Sequence, residues 1–264
     1  MMNAVLPAIR LERDEGLAII TLARPEMANS VDRAFAQSFH TLMTECHFDR
    51  SVKAVLIRAE GNLFCAGGDV DGYADAGQKL HYLIRDLTAD FHAGLIRLAH
   101  MRKPVVTAVQ GATSGAGFAL ALSGDIVIAG RGATFALNYP ALGLAPDAGT
   151  TWLLPRLIGI RKAQEMALLN PTLSADEALS LGLITRVVED ADLQDASMEI
   201  ARKLALGPTK ALGAARALIL EGLGRSYDEQ LEAEARAMVE TALDDDGRRR
   251  VAAIHASRVG TIAA

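Results

Sequence analysis

The sequence predicts an α/β fold that ends in a helical region. Short apolar segments alternate with helical segments through the first half of the chain. Two glycine-rich turns each lie between an apolar segment and a helical one, and after about residue 150 the pattern is almost entirely helical. Such alternation is typical of βα units rather than of a β-sandwich. We expect a core over residues 1–199 and a C-terminal helical region over residues 200–264.

The elements follow in order along the chain. Apolar segments predict strands at 17–22, 54–58, 104–109 and 125–129. Helical periodicity predicts helices over 32–46, 80–100 and from the second glycine turn to Leu122. Capping boxes at Ser174–Glu177 and Ser226–Glu229 predict two later helix starts. Pro208, directly after Gly207, suits the first turn of another helix.

Composition excludes several classes of protein. Half of the 264 residues are apolar and the net charge is -5, which is typical of a soluble globular protein and argues against nonspecific nucleic-acid binding. No apolar run is long enough for a membrane span, and neither terminus resembles a targeting signal, so we expect a cytoplasmic protein. Cys46 and Cys65 form neither a disulfide framework nor a zinc site. The histidines are scattered, and we expect no metal.

The two glycine turns are the main chemical feature found from the residues alone. They are Ala66-Gly67-Gly68-Asp69 and Ser114-Gly115-Ala116-Gly117. Free N–H groups at helix starts bind oxygen anions, and small residues allow a ligand to approach the backbone closely. Two such turns from neighbouring strands could direct two N–H groups at one carbonyl oxygen and form an oxyanion hole. The alternative is that both are ordinary tight turns.

Seven segments taken together resemble the crotonase, or enoyl-CoA hydratase/isomerase, superfamily, in order and at the family spacing. They are 22–29 (LARPEMAN), 64–69 (FCAGGD), 103–111 (KPVVTAVQG), 115–117 (GAG), 123–125 (SGD), 142–149 (LGLAPDAG) and 181–188 (LGLITRVV). The resemblance covers nearly the whole chain. It implies a crotonase-like spiral of ββα units and an acyl-CoA thioester as substrate. It also implies trimers or hexamers in which the C-terminal helices pack between protomers and cover the pocket.

The resemblance also assigns binding residues. It places the oxyanion donors at the backbone N–H groups of Gly68 and Ala116, and coenzyme A along Ala28, Ala66 and Gly68. Coenzyme A enters as part of the substrate, and no further cofactor is expected. Met27 occupies a position where relatives often have lysine.

The catalytic carboxylates depart from the hydratase pattern. Hydratases of the superfamily use two glutamates, which correspond here to Ala119 and Tyr139. Addition of water to a double bond needs groups to activate water and to give a proton, and neither side chain is a carboxylate. Asp147 matches the catalytic carboxylate of enoyl-CoA isomerases, and the segment 146–155 resembles the phenylacetate-pathway isomerases. The hypothesis is that Asp147 shuttles one proton; the alternative is that it caps the helix beginning near Gly149.

Other functions stay open at this level. In the chlorobenzoyl-CoA dehalogenases of the superfamily, a histidine matches His92 and the aspartate at the Asp147 position is a nucleophile, so the pair could instead perform nucleophilic chemistry. A surface or core-edge position is the alternative for His92. Tyr139 could line the acyl pocket, donate a hydrogen bond or only pack. Residual hydratase activity, or non-catalytic binding of acyl-CoA or RNA, are the remaining candidates.

Overall fold

A computed structural model describes residues 7–262, with side chains described to residue 257. Residues 1–6 and 263–264, which belong to the two termini considered for targeting signals, lie outside the described residues. The strands are β1 (Ile9–Asp14), β2 (Leu17–Leu22), β3 (Ala54–Ala59), β4 (Val105–Val109), β5 (Ala112–Ser114), β6 (Ile126–Gly130), β7 (Thr134–Ala136), β8 (Leu173–Ser174) and β9 (Arg186–Val188). The helices are α1 (Arg33–Phe48), α2 (Val70–Ala76), α3 (Leu80–His100), α4 (Ala116–Leu122), α5 (Thr150–Leu169), α6 (Ala175–Ser180), α7 (Leu193–Ala205), α8 (Thr209–Gly222), α9 (Tyr227–Ala242) and α10 (Asp245–Ile262).

The strands form two sheets. The larger has the order β1-β2-β3-β4-β6-β9; β1 is antiparallel to β2 and the other pairs are parallel. The smaller sheet has the order β5-β7-β8. Every residue of β2 and β4 is buried, as expected for strands covered on both faces. The predicted α/β class is therefore confirmed.

Most predicted elements are found close to their expected bounds. The four predicted strands correspond to β2, β3, β4 and β6, and the three predicted helices to α1, α3 and α4. Both capping boxes are present, with each serine accepting from the glutamate N–H and each glutamate accepting from the serine N–H. The expectation of an almost entirely helical second half needs correction, because β8 and β9 lie there and are recognisable only through their pairing partners.

Helices cover both faces of the larger sheet. Phe35 and Phe39 of α1 and Phe91 of α3 pack against one another in the main core, with the Phe39 and Phe91 ring centroids 5.2 Å apart. Gly94 lets these helices approach closely, since a Cβ there would lie 2.5 Å from the Phe39 ring. The opposite face of the sheet is covered by α7, which buries Ala201 and Ala205. The expected division at residue 200 thus lies within a helix that packs on the sheet.

A buried ion pair joins α8 to the core. The Arg216 guanidinium donates to both carboxylate oxygens of Asp125 at 2.7 and 2.8 Å, and to the carbonyls of Ala99 and Met101. Asp125 also accepts from the Val105 N–H at the start of β4. Arg216 and Asp125 together therefore connect α8 to the end of α3 and to the starts of β4 and β6. The Arg216 side chain is only 6% exposed, so its charge depends on Asp125 for compensation.

Two kinds of feature are absent from the described residues. No helix between residues 7 and 262 is long and apolar enough to cross a membrane. Within the same range, no three or more His, Cys, Asp or Glu side chains are grouped so that they could hold a metal ion.

Asp32 joins the start of α1 to the preceding loop. Its carboxylate accepts from the Phe35 N–H as the N-cap and from both terminal nitrogens of the buried Arg24 at 2.7 Å. Burial raises the pKa of Asp32, but the bonds from Arg24 and Phe35 outweigh it, and the net pKa is lowered. A carboxyl group with a lowered folded-state pKa contributes stability above its unfolded value near 4, and that contribution is lost as the pH falls through the folded value.

The Asp32→Asn variant is therefore expected to lose about 2 kcal/mol of stability at pH 7, since it removes the ionic partner of a buried arginine. The difference from wild type should shrink towards pH 3, because below about 4 the carboxyl group takes up a proton in the unfolded chain, which favours unfolding of the wild type. Urea unfolding at the two pH values measures it, with the exposed Asp75→Asn as the matched control. A difference that is equal at both pH values would contradict this account.

Candidate active site

The two glycine turns lie against each other. A Cβ on Gly67 would stand 2.7 Å from the Ser114 carbonyl oxygen, and one on Gly115 would stand 3.7 Å from the Gly67 Cα. Both glycines have positive φ angles, +96° and +52°, which other residues adopt at a cost. Gly117 is equally confined, because a Cβ there would overlap the Cys65 carbonyl oxygen. The two turns are therefore in direct backbone contact.

Backbone hydrogen bonds fix both turns in place. The first turn is bound to the chain before α1: the Val31 N–H donates to the Gly67 carbonyl at 2.7 Å. The second is bound to the first, since the Ser114 N–H donates to the Cys65 carbonyl at 3.1 Å. The Gly115 N–H donates to the Leu137 carbonyl, which joins the second turn to the segment after β7.

The N–H groups of Gly68 and Ala116 remain available. Among the described residues, neither group donates a hydrogen bond to a protein acceptor. Ala116 is the first residue of α4, where a backbone N–H has no partner within the helix. Both residues are partly exposed. The two predicted donors thus lie on adjoining turns with their N–H groups unused by the fold.

Asp147 lies at the centre of a polar group. The Tyr139 hydroxyl donates to one carboxylate oxygen at 2.7 Å, and His92 Nε2 lies 3.1 Å from the other. Tyr139 is buried, whereas Asp147 and His92 are about one third exposed. Burial raises the pKa of Tyr139, and the negative charge of Asp147 raises it further, so this hydroxyl keeps its proton and acts as a donor.

Different parts of the fold bring these three side chains together. His92 lies in the middle of α3, 55 residues before Asp147. Tyr139 follows Asn138, which accepts a hydrogen bond from the Asn170 amide at the end of α5 and donates one to the Ser114 hydroxyl. The second glycine turn and the Tyr139 segment are thereby held to each other.

The Asp147 carboxylate does not cap a helix. The residue that precedes α5 is Gly149, and no side chain makes a capping hydrogen bond there. Only the Asp147 carbonyl contacts the helix start, where it accepts from the Thr150 N–H and hydroxyl. The capping alternative for this carboxylate is wrong, because both of its oxygens face Tyr139 and His92.

The His92 ring has two competing partners at one nitrogen. Nε2 lies 3.1 Å from the Asp147 carboxylate and 3.2 Å from the Ala148 N–H. A protonated Nε2 donates to the carboxylate, and an unprotonated one accepts from the N–H, so only one hydrogen bond forms at a time. If Asp147 is protonated, its own O–H can donate to the unprotonated nitrogen. His92 Nε2 therefore bonds either to the Asp147 carboxylate or to the Ala148 N–H, according to whether this nitrogen carries a proton.

The residues expected to lie along coenzyme A form a neighbouring surface. The Ala66 N–H donates to the Ala28 carbonyl at 3.0 Å, which puts the two alanines side by side just before the first glycine turn. Asn29 fixes this loop by donating to the Glu60 and Leu63 carbonyls. Ala66 is exposed and Ala28 is partly so. Both alanines thus contribute accessible surface next to the turn that contains Gly68.

One residue of this region was not predicted from the sequence. Tyr73 of α2 places its hydroxyl against Gly68, where a Cβ would overlap it. Its ring packs against the main core. The only available sequence signal is its position five residues after Gly68, one turn into a helix whose side chains tilt back towards its N-terminus.

Comparison with known proteins identifies the family. Residues 12–255 match the family model for enoyl-CoA hydratase/isomerase. The chain belongs to this family. It is therefore an acyl-CoA enzyme of the crotonase superfamily, and the expected crotonase fold is confirmed.

Individual relatives differ in activity. The chain is 38% identical to the 1,2-epoxyphenylacetyl-CoA isomerase of Escherichia coli (strain K12), over 98% of this chain and 97% of that protein. It is 33% identical to 4-chlorobenzoyl coenzyme A dehalogenase-2 of Arthrobacter sp, over 88% and 84%. The crystal structure of an enoyl-CoA hydratase from Polaromonas sp. JS666 aligns with a TM-score of 0.89 at 27% identity, over 94% of this chain and 97% of that one.

Proposed function

We propose that the protein is an acyl-CoA isomerase that moves a carbon–carbon double bond by a 1,3-proton transfer. The observation that carries this proposal is that Asp147 bonds to Tyr139, whose ring lies next to the second glycine turn, with a Cβ on Gly115 4.0 Å from it. Asp147 has hydrogen-bonding neighbours that hold it in place, while Ala119, at one hydratase glutamate position, is buried and apolar, and Tyr139, at the other, donates to Asp147. A shuttle needs one group that both takes and returns a proton.

The proposed reaction begins with a 3-enoyl thioester whose carbonyl oxygen accepts from the N–H groups of Gly68 and Ala116. Asp147 removes a proton from C2; the C–H electrons form a C1–C2 double bond, and the carbonyl π electrons move onto the thioester oxygen as negative charge. Each N–H donor contributes about 3 kcal/mol to stabilising this dienolate. Asp147 then returns the proton to C4: the carbonyl re-forms, the C1–C2 electrons make the C2–C3 double bond, and the C3–C4 electrons bond C4 to the proton, which gives a 2-enoyl thioester. No cofactor is needed beyond the coenzyme A of the substrate, which we place along Ala28, Ala66 and Gly68.

Two neighbours hold the carboxylate during the transfer. The Tyr139 hydroxyl donates to one oxygen of Asp147, and the other oxygen lies 3.1 Å from His92 Nε2. This arrangement limits rotation of the carboxylate while the proton is carried between two carbons.

Product identity tests the proposed reaction. Purified protein is incubated with a 3-enoyl-CoA and, in parallel, with a 2-enoyl-CoA, followed by ultraviolet absorbance and mass spectrometry. The proposal predicts absorbance of a new conjugated thioester from the 3-enoyl-CoA, with no change in mass. A product heavier by one water would instead establish a hydratase and contradict the proposed roles.

A second candidate rests on the His92–Asp147 contact of 3.1 Å. Together with the similarity to a chlorobenzoyl-CoA dehalogenase, it favours attack by the carboxylate on an aromatic thioester. The Asp147 oxygen would bond to the ring carbon, chloride would leave with the C–Cl electrons, and water would then hydrolyse the aryl ester with His92 as base. Release of chloride from 4-chlorobenzoyl-CoA tests this candidate directly.

We also propose that the chain assembles as a trimer or a dimer of trimers through its C-terminal helices. Large apolar side chains are exposed along α8 and α9, among them Ile219 at 72% and Met238 at 74%. Contiguous exposed apolar surface is typical of protein–protein contacts. Light scattering after size exclusion should give three or six times the mass of one chain, whereas a monomer would contradict the proposal.

A further inference from the structure

Tyr73 carries a hydroxyl that the fold itself does not use. Among the described residues, this hydroxyl makes no hydrogen bond with a protein group. The ring, by contrast, packs against the main core, and the residue as a whole is partly buried. A tyrosine with an anchored ring and an unpartnered hydroxyl supplies an amphipathic side chain whose polar end is free to meet a ligand.

The hydroxyl is placed by the short helix that follows the first glycine turn. The Tyr73 N–H donates to the Asp69 carbonyl at 3.0 Å, which sets Tyr73 one turn into α2. Helical side chains tilt towards the helix N-terminus, so the phenol extends back over the turn from which α2 begins. Its oxygen lies where a Cβ on Gly68 would stand. Covalent geometry then keeps this oxygen within about 5 Å of the Gly68 nitrogen.

Tyr73 lies within electrostatic reach of Asp147. Burial raises the pKa of Tyr73, and the charges of Asp147 and Asp69 raise it further. Tyr73 is therefore protonated throughout the physiological range and can only donate towards a developing negative charge. Because the Asp147 carboxylate already has its donor in Tyr139, the hydroxyl of Tyr73 is left for the substrate.

We infer that the Tyr73 hydroxyl is a third hydrogen-bond donor to the thioester oxygen, beside the N–H groups of Gly68 and Ala116. This inference rests on the proposed function and extends it by one catalytic residue. An oxyanion contacted by two backbone donors keeps a free lone-pair direction, and a donor in a site shielded from water stabilises negative charge more strongly than water does. Tyr73 thereby adds to the stabilisation of the dienolate.

The kinetic test is Tyr73→Phe, which keeps the ring and removes only the hydroxyl. We expect kcat for a 3-enoyl-CoA to fall about a hundredfold, the lower end of the range for loss of a donor to an oxyanion, while KM changes less than threefold. The matched control is Tyr82→Phe, since Tyr82 is an exposed tyrosine on α3. Its kcat should equal that of the wild type.

A spectroscopic test separates hydrogen bonding from packing and does not depend on turnover. Butyryl-CoA with a ¹³C-labelled carbonyl cannot isomerise, and its bound C=O stretch is measured by infrared difference spectroscopy. The wild type should lower the stretching frequency relative to the free thioester, and Tyr73→Phe should reverse part of that lowering. Tyr73→Met serves as a second variant without a donor if the phenylalanine variant folds poorly.

The outcomes distinguish a failure of the role given to Tyr73 from a failure of the oxyanion hole as a whole. An unchanged frequency in Tyr73→Phe, with the wild-type lowering intact, would overturn the role of Tyr73 and leave the oxyanion hole standing. A wild type that does not lower the frequency would contradict the oxyanion hole itself, and with it the proposed function. A kcat equal to wild type in Tyr73→Phe would also overturn the inference.

Discussion

The Asp147→Asn variant is expected to lower kcat for double-bond migration about a thousandfold, the middle of the range for loss of a general acid–base group. An amide has nearly the shape of the carboxylate and can still accept from Tyr139, but it cannot take a proton from carbon. Initial rates with a 3-enoyl-CoA, followed by the ultraviolet absorbance of the conjugated product, measure the effect.

Binding and folding should survive this change. Because Asp147 makes no helix-capping bond, its replacement is expected to leave the melting temperature and the Kd for a saturated acyl-CoA close to wild type. Asp195→Asn, an exposed aspartate on α7, is the matched control and should be fully active. Full isomerase activity in Asp147→Asn would show that another group carries the proton.

The second large effect concerns stability. Asp125→Asn is expected to cost about 3 kcal/mol of the free energy of unfolding, because it leaves the charge of the buried Arg216 uncompensated. For a chain of this size, that corresponds to a fall in melting temperature of about 9 °C. Calorimetry or thermal circular dichroism measures it.

Two further variants test whether the burial of the Arg216 charge causes this loss of stability. The double variant Asp125→Asn with Arg216→Met should recover part of the loss, since it removes the uncompensated charge. Asp176→Asn breaks an exposed ion pair with Arg131, in which both side chains are more than half exposed, and should cost less than about 0.5 kcal/mol. Equal losses in Asp125→Asn and Asp176→Asn would contradict the account.

The sequence was most informative where a segment is continuously apolar or begins with a capping box. Such patterns predicted β2, β3, β4 and β6 and the starts of α6 and α9. The edge strand β1 was missed because its residues 10, 12, 13 and 14 are charged and it pairs on one side only. Strands β5, β7, β8 and β9 have two or three residues, and only their tertiary partners define them.

The candidate site was likewise predicted in part and missed in part. The resemblance named Asp147, His92 and Tyr139, and the structure brings all three into contact. Their roles in catalysis stay predictions, since contact alone does not establish chemistry. Neither periodicity nor spacing could indicate Tyr73, because its relevance arises from the direction of one side chain over a glycine on the preceding turn.

The central claim is that one carboxylate carries the same proton between two carbons. A 3-enoyl-CoA deuterated at C2 tests it most directly, in a single turnover in ordinary water with nuclear magnetic resonance of the product. The account predicts that a measurable share of the deuterium is found at C4 of the 2-enoyl product, because Asp147 returns what it removed. If the product of the first turnover carries only solvent hydrogen at C4, the result contradicts a single-carboxylate shuttle.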